Sequence, residues 1–290
     1  MERKFVIVTD SSCDLSEEYL AKHQVHCVPL GFTVDGVVYG GDDGEYMDVK
    51  TFYETLRKGA TPKTYQVSPE QAKTHLTQFV QAGQDVLVIA FSSGLSGTAN
   101  SFAVAARELM EENPGRKVLV VDSLCASLGE GLLVDYVVKK ADTYAEIEEV
   151  YAYAEQLKCK ICHQFTVDNL FHLKRGGRVS STTAIVGSIL KIKPVMHVND
   201  EGRLVPVGRA MGRRKSISAL VEHMERLADL GENDPIFISH GDCMEDVDFL
   251  IGLIHAKFGK RDIYVNYVGN VIGTHSGAGT LALFFKGKQR

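Results

Sequence analysis

What this 290-residue chain lacks excludes more than its bulk composition reveals. Lysines and arginines number 32 against 37 aspartates and glutamates, a formal charge of −5. A general nucleic-acid binder needs a basic excess to neutralise phosphates, and there is none. The longest pure apolar runs, such as Val86 to Phe91, are strand-sized and far short of the ~20 residues that span a bilayer. The four residues Phe5 to Val8 cannot serve as a signal-peptide core, which takes about 7–15. A cytoplasmic protein without an integral membrane segment is therefore expected. No repeat of fixed period and no low-complexity tract appears. With 44% apolar and 24% charged residues, the chain is far from the composition of disorder. At this size folding buries roughly three quarters of the unfolded surface, so no disulfide or metal staple is required.

The usual catalytic signatures are missing as well. The loop Ser92-Ser93-Gly94-Leu95-Ser96-Gly97-Thr98 contains no lysine, so it is not a Walker cradle, and no G-x-G-x-x-G occurs. Phe91-Ser92-Ser93-Gly94-Leu95 lacks the leading glycine of a nucleophile elbow. Cys159-Lys160-Ile161-Cys162-His163 matches a haem-attachment pattern, but that chemistry accompanies export, and no second ligand pair is spaced for zinc. Neither a metal nor a cofactor is expected. The six cysteines read as free thiols.

The elements present alternate. Lys4–Thr9 reads as a strand, Ser16 opens a helix, and Phe32–Tyr39 reads as a hairpin about Asp35-Gly36. A polar, proline-bounded loop covers 59–69, and Ser68-Pro69 opens a helix to Ala82. Asp85–Phe91 and Lys117–Val121 are continuous apolar strands, each followed by a helix, which indicates a parallel sheet covered on both faces. After a helix ending at Leu157 the texture changes to alternating strands, with a hairpin about Asp200-Glu201-Gly202. The reading is an α/β protein of two domains: residues 1–157 with a helix-covered, mainly parallel sheet, and residues 158–290 with a mixed sheet.

Chemistry concentrates in five places. The Ser92–Thr98 loop lies at the carboxyl end of a buried strand and opens a helix. Ligands settle at such ends, and free N–H groups there favour an anion. Without a cation in the loop, a small or singly charged anion suits it better than a triphosphate. Thr61–Gln66 is a second hydroxyl-rich loop in the same half. His275 stands among glycines near the C terminus, placed to donate to an anion or to act as acid or base. Two basic clusters, Lys174–Arg178 and Arg209–Lys215, suit a phosphate-bearing ligand or a partner's acidic face.

Thr9-Asp10-Ser11-Ser12-Cys13-Asp14-Leu15 resembles the T-D-S-x-x-D-L start of the DegV family. So do Pro62-x-Thr64-x-Gln66-x-Ser68-Pro69, the Ser92–Thr98 loop, Leu173-x-Arg175-x-Gly177-Arg178 and the ending Gly273-x-His275-x-Gly277-x-Gly279. These segments stand in the family's order over nearly the whole chain. The resemblance implies a DegV-like fold that holds one long-chain fatty acid, such as palmitate, between its two domains. It further implies a non-catalytic subunit that presents the acyl carboxyl group to a fatty acid kinase for acyl-phosphate formation, in lipid transport or fatty acid metabolism. By this resemblance Thr64 and Ser93 are the carboxylate ligands, His275 lies near the head group, and Arg209 matches an arginine after the central hairpin. Arg213 and Arg214 join Arg209 as partner or phosphate contacts. Two departures bear on the pocket: Tyr65 and Val67 stand where the family has serine and proline.

Two other readings compete. One is a serine hydrolase or acyltransferase with Ser93 as nucleophile, His275 as base and Asp122 as acid. The other is a ligand-gated lipid sensor that docks through Arg209–Lys215. Transient contact with a membrane surface is compatible with all three.

Overall fold

The computed structural model describes residues 3–179 and 192–290. Three sheets organise the chain. β1 (Phe5–Asp10), β2 (Val25–Val28), β6 (Asp85–Ala90) and β7 (Val118–Asp122) form a parallel sheet in the order β2-β1-β6-β7. On one face lie α3 (Pro69–Gln81) and α4 (Thr98–Glu112), whose Leu76, Phe102 and Leu109 pack on Val86 and Val88. On the other lie α5 (Leu128–Ala141) and α6 (Ile147–Leu157), packed on Ile7, Leu87 and Ile89. Both faces are thus dry, as the unbroken apolar run Val86–Ala90 requires. Ser68 caps α3 through a 3.0 Å bond to the Gln71 N–H, with Pro69 in the first turn.

The second sheet has six strands: β8 (Ile161–Thr166), β9 (Ile192–Val198), β10 (Leu204–Met211), β11 (Ile236–His240), β12 (Ile263–Tyr267) and β13 (Leu281–Lys286). Their order is β10-β9-β8-β13-β11-β12, with only β11 and β12 parallel. The expected hairpin about Asp200-Glu201-Gly202 joins β9 to β10. Helices α8 (Arg213–Leu227) and α9 (Met244–Phe258) cover one face through Leu220, Met224, Leu250 and Ile254. The opposite face, with Phe165, Phe237 and Phe284, packs against the same core as α5. The two sheets therefore share α5 as a common wall.

One local reading needs correction. Residues 59–69 are not loop throughout: Lys63–Tyr65 forms β5, which pairs antiparallel with β3 (Gly31–Val34) beside the hairpin partner β4 (Val37–Gly40). Three polar-flanked residues carry no periodicity, so only the edge of β3 makes them a strand. All six residues of β8 are buried, its alternating polar residues included. His163 accounts for this. Its Nε2 accepts the Ala126 N–H at 3.2 Å, and its Nδ1–H donates to the Ile161 carbonyl at 3.0 Å. Burial holds its pKa well below the ordinary value, so the ring is neutral.

Gly129 makes room for that ring, since a Cβ there would lie 2.1 Å from His163 Nε2. Gly129→Ala would ordinarily stabilise a helix by about 1 kcal/mol. Here the collision with His163 is expected to reverse the sign, costing about 1–3 kcal/mol in a denaturant titration.

Candidate functional site

A cavity of about 330 Å³ lies between the loops at the carboxyl ends of the parallel sheet and the inner face of the mixed sheet. Most of its wall is apolar: Leu30, Phe91 and Leu95 from the first half, and Phe165, Leu204 and Phe284 from the second. Its polar groups include Thr64 and Gln66, Ser96, Arg178 and His275.

Thr64 is held in β5 opposite Phe32, and its Oγ1 lies 2.8 Å from Nε2 of His275. His275 ends α10 (Asn270–Ser276). It fits because residue 176 is glycine: a Cβ there would lie 2.1 Å from His275 Nδ1. Burial lowers the His275 pKa to about 4, with Arg178 and Arg175 adding to the effect. The ring is therefore neutral near pH 7. With its proton on Nε2 it donates to Thr64, and the threonine hydroxyl proton is released toward a ligand oxygen. A titration of the His275 ring by NMR is expected to show protonation only near pH 4. A midpoint near 6.5 would mean that the ring is solvated.

Ser96 reaches the wall through the coil of its loop. The Leu95 and Ser96 N–H groups both donate to the Ser92 carbonyl, at 3.0 and 3.1 Å. This brings residue 96 round to the cavity and leaves Ser93 exposed. Gln66 ties the two loops together, its Oε1 accepting the Gly97 N–H at 2.9 Å. Arg178, half-buried, donates from Nε to the Leu95 carbonyl at 3.1 Å and from Nη1 to the Gly176 carbonyl at 2.5 Å. A guanidinium keeps its charge there, so among the described residues the wall carries one fixed positive charge beside neutral donors.

Among the expected site residues, Thr64 and His275 meet as anticipated. Ser93 does not join them, since its N–H donates to Asp122 Oδ1 at 3.0 Å outside the cavity. Asp122 also accepts the Leu124 N–H at 3.2 Å. Neither residue is hydrogen-bonded to His275 among the described residues, so the Ser93–His275–Asp122 relay is not assembled. The three arginines separate too. Arg209 is exposed on β10, and Arg214 is exposed with its guanidinium 4.1 Å from the Phe249 ring centroid. Arg213 is turned inward, pairing with Asp246 at 2.8 Å and donating to the Gly279 carbonyl at 2.6 Å.

The Cys159–His163 pattern is confined to structure: Cys159 is exposed, Cys162 is buried, and both nitrogens of His163 are occupied as above. No cluster of three metal-ligating side chains occurs among the described residues. Of the two departures, Val67 is fully buried in the core beside Leu76 and does not reach the cavity. Tyr65 does. Its ring lies across Gly31, where a Cβ would come within 1.9 Å of it, at the outer edge of the wall. Ser96, Gln66 and Arg178 line the cavity without having been singled out from the sequence. Each stands in a segment quoted above, but spacing alone does not say which hydroxyl of Ser92-Ser93-Gly94-Leu95-Ser96 turns inward.

An α/β architecture whose two larger sheets flank a mainly apolar cavity with anion-compatible donors defines a class of small-ligand-binding fold. The chain belongs to the DegV family: the model for "uncharacterised protein, DegV family" matches residues 4–288. A DegV domain-containing protein of Clostridium perfringens is 42% identical over 285 residues, covering 98% of each chain. Among solved structures, a fatty-acid-binding DegV family protein of Thermus thermophilus superposes with a TM-score of 0.87 at 30% identity, over 99% of this chain and 100% of that one. The Bacillus subtilis DegV, described as a fatty acid binding protein, gives 0.82 at 28% identity, over 99% and 100%. No described helix is long and apolar enough to cross a membrane.

Proposed function

We propose that this protein binds one long-chain fatty acid, with the acyl chain in the cavity between a domain of residues 1–157 and one of residues 158–290. The carboxylate is assigned to the hydroxyls of Thr64 and Ser96, near Arg178, with His275 orienting Thr64. Ser96 takes the place first given to Ser93. The observation that carries this reading is the composition of the wall: mainly apolar side chains, with the Thr64 hydroxyl held on His275 and Arg178 on the same wall. An alkyl chain gains about 0.8 kcal/mol per buried methylene, so the chain supplies affinity and the donors supply orientation. The fatty-acid-binding relatives support it.

In the same proposal the protein is a cytoplasmic, non-catalytic carrier that presents its carboxyl group to a kinase making acyl-phosphate. Arg209 and Arg214 are the side chains available for that partner's acidic face, while Arg213 holds the fold. Denaturing mass spectrometry of the purified protein should find a stoichiometric C14–C18 acid. The double variant Thr64→Val, Ser96→Ala should lose its preference for the free acid over the methyl ester. An unchanged acid-to-ester ratio would place the carboxylate elsewhere.

A further inference from the structure

One hydroxyl on the cavity wall has no role in the scheme above. Among the described residues, six serine and threonine side chains line the cavity, and five of their hydroxyls are already engaged. Thr64 meets His275, Ser96 meets Thr98 at 3.0 Å, Ser127 and Ser239 bond each other at 2.9 Å, and Thr280 donates to the Gly277 carbonyl at 2.8 Å. The sixth belongs to Ser276. That residue is 6% exposed, and its Oγ has no hydrogen-bond partner among the described residues.

A buried hydroxyl left unpaired is costly, and native proteins pair nearly all of them. A plain alkyl chain beside Ser276 leaves it unpaired, whereas an oxygen on the chain would satisfy it. The position is also defined. Ser276 directly follows His275, which holds the carboxylate ligand Thr64, so the oxygen it meets belongs to the first few carbons after the carboxyl group. A hydroxyl substituent fits best, because it both donates and accepts and so matches a serine in either orientation.

We infer that Ser276 is a specificity-determining residue, and that the ligand class is a fatty acid carrying a hydroxyl near its carboxyl end. This rests on the fatty-acid reading and adds the substituent. A site built to bond a ligand hydroxyl discriminates against the analogue that lacks it, because its own polar group is then stranded.

The test compares hexadecanoate with its 2-hydroxy, 3-hydroxy and 16-hydroxy derivatives on delipidated protein, wild type and Ser276→Ala. Wild type should bind the 2- or 3-hydroxy acid about 5–20-fold more tightly than hexadecanoate, and the 16-hydroxy acid no better than hexadecanoate. In Ser276→Ala the near-carboxyl preference should vanish while hexadecanoate binds as well or better. Equal preferences in the two proteins, or an equal gain from the 16-hydroxy acid, would overturn the assignment. Failure of every acid to bind wild type would instead overturn the fatty-acid reading itself. Ser276→Thr keeps a hydroxyl and should retain the preference, which separates hydrogen bonding from a change of cavity shape.

Discussion

Replacing Ala282 by phenylalanine is expected to abolish binding of long-chain acids while sparing short ones. Ala282 lies on β13 between Phe165 of β8 and Ser239 of β11, and it borders the cavity with only a methyl group. Both neighbouring strands are hydrogen-bonded to β13, so a benzyl group there has no exit to solvent and enters the acyl space. Excluding five or six methylenes forfeits about 4–5 kcal/mol at ~0.8 kcal/mol each, which is on the order of 1,000-fold in affinity. Calorimetry with hexadecanoate should show that loss. A competition assay with hexanoate should show little change, because the Thr64 end is untouched. Unaltered hexadecanoate affinity would mean that the chain runs elsewhere.

The second large effect concerns pH. Asp10, Asp14 and Glu130 are all buried. Asp10 accepts from both the N–H and the Oγ of Ser12 and from the Phe91 N–H, at 2.8 Å for the last. Glu130 meets Thr9 Oγ1 at 3.1 Å and Ser12 Oγ at 3.3 Å. Burial raises Asp10 to about 6 and Asp14 to about 7, and it lifts Glu130 well above the carboxylate range. Above pH 6.5 the unfolded chain has released these protons, while the fold holds that of Asp14 up to about 7, with Glu130 shifted by burial in the same direction.

The folded state therefore binds more protons, and stability falls as pH rises, by about 1.4 kcal/mol per unit for each retained proton. Below 6.5 the buried neutral histidines His163 and His275 work in the opposite direction, so the clean window is pH 6.5–8. Denaturant titrations should show declining stability there. Glu130→Gln places an amide donor toward Ser12, as the protonated acid does, and should flatten the slope with little loss at pH 6.5. If its slope matches that of wild type, Glu130 is ionised in the fold.

Much of this was legible from residue patterns, for identifiable reasons. The parallel sheet announced itself through Asp85–Phe91 and Lys117–Val121, because strands covered on both faces must be apolar throughout. Ser68-Pro69 marked a helix start by local chemistry alone. β5 was illegible because Lys63–Tyr65 becomes a strand only by pairing with β3, a non-local event. At the site, Thr64 and His275 were found by motif and do meet, 211 positions apart in sequence. Ser93 was carried over from the family resemblance, and no spacing rule shows that the loop coils back on the Ser92 carbonyl and brings Ser96 to the cavity. That Arg213 turns inward was illegible for a similar reason. Arg213 looks like Arg214 in sequence, but a helix turns the two side chains in different directions, and Asp246 waits on only one side.

The wall shared by the two sheets has a consequence for how the chain tolerates change. A surface helix normally shows a rhythm of sensitive and permissive positions every three to four residues, since one stripe faces water. Twelve residues of α5, from Leu128 to Val138 and then Ala141, are buried. No permissive stripe remains before Lys139. Substitutions along α5 should therefore be rejected in an unbroken block, and variation among relatives should pass this helix by and collect on helices with a wet face, such as α3 and α8.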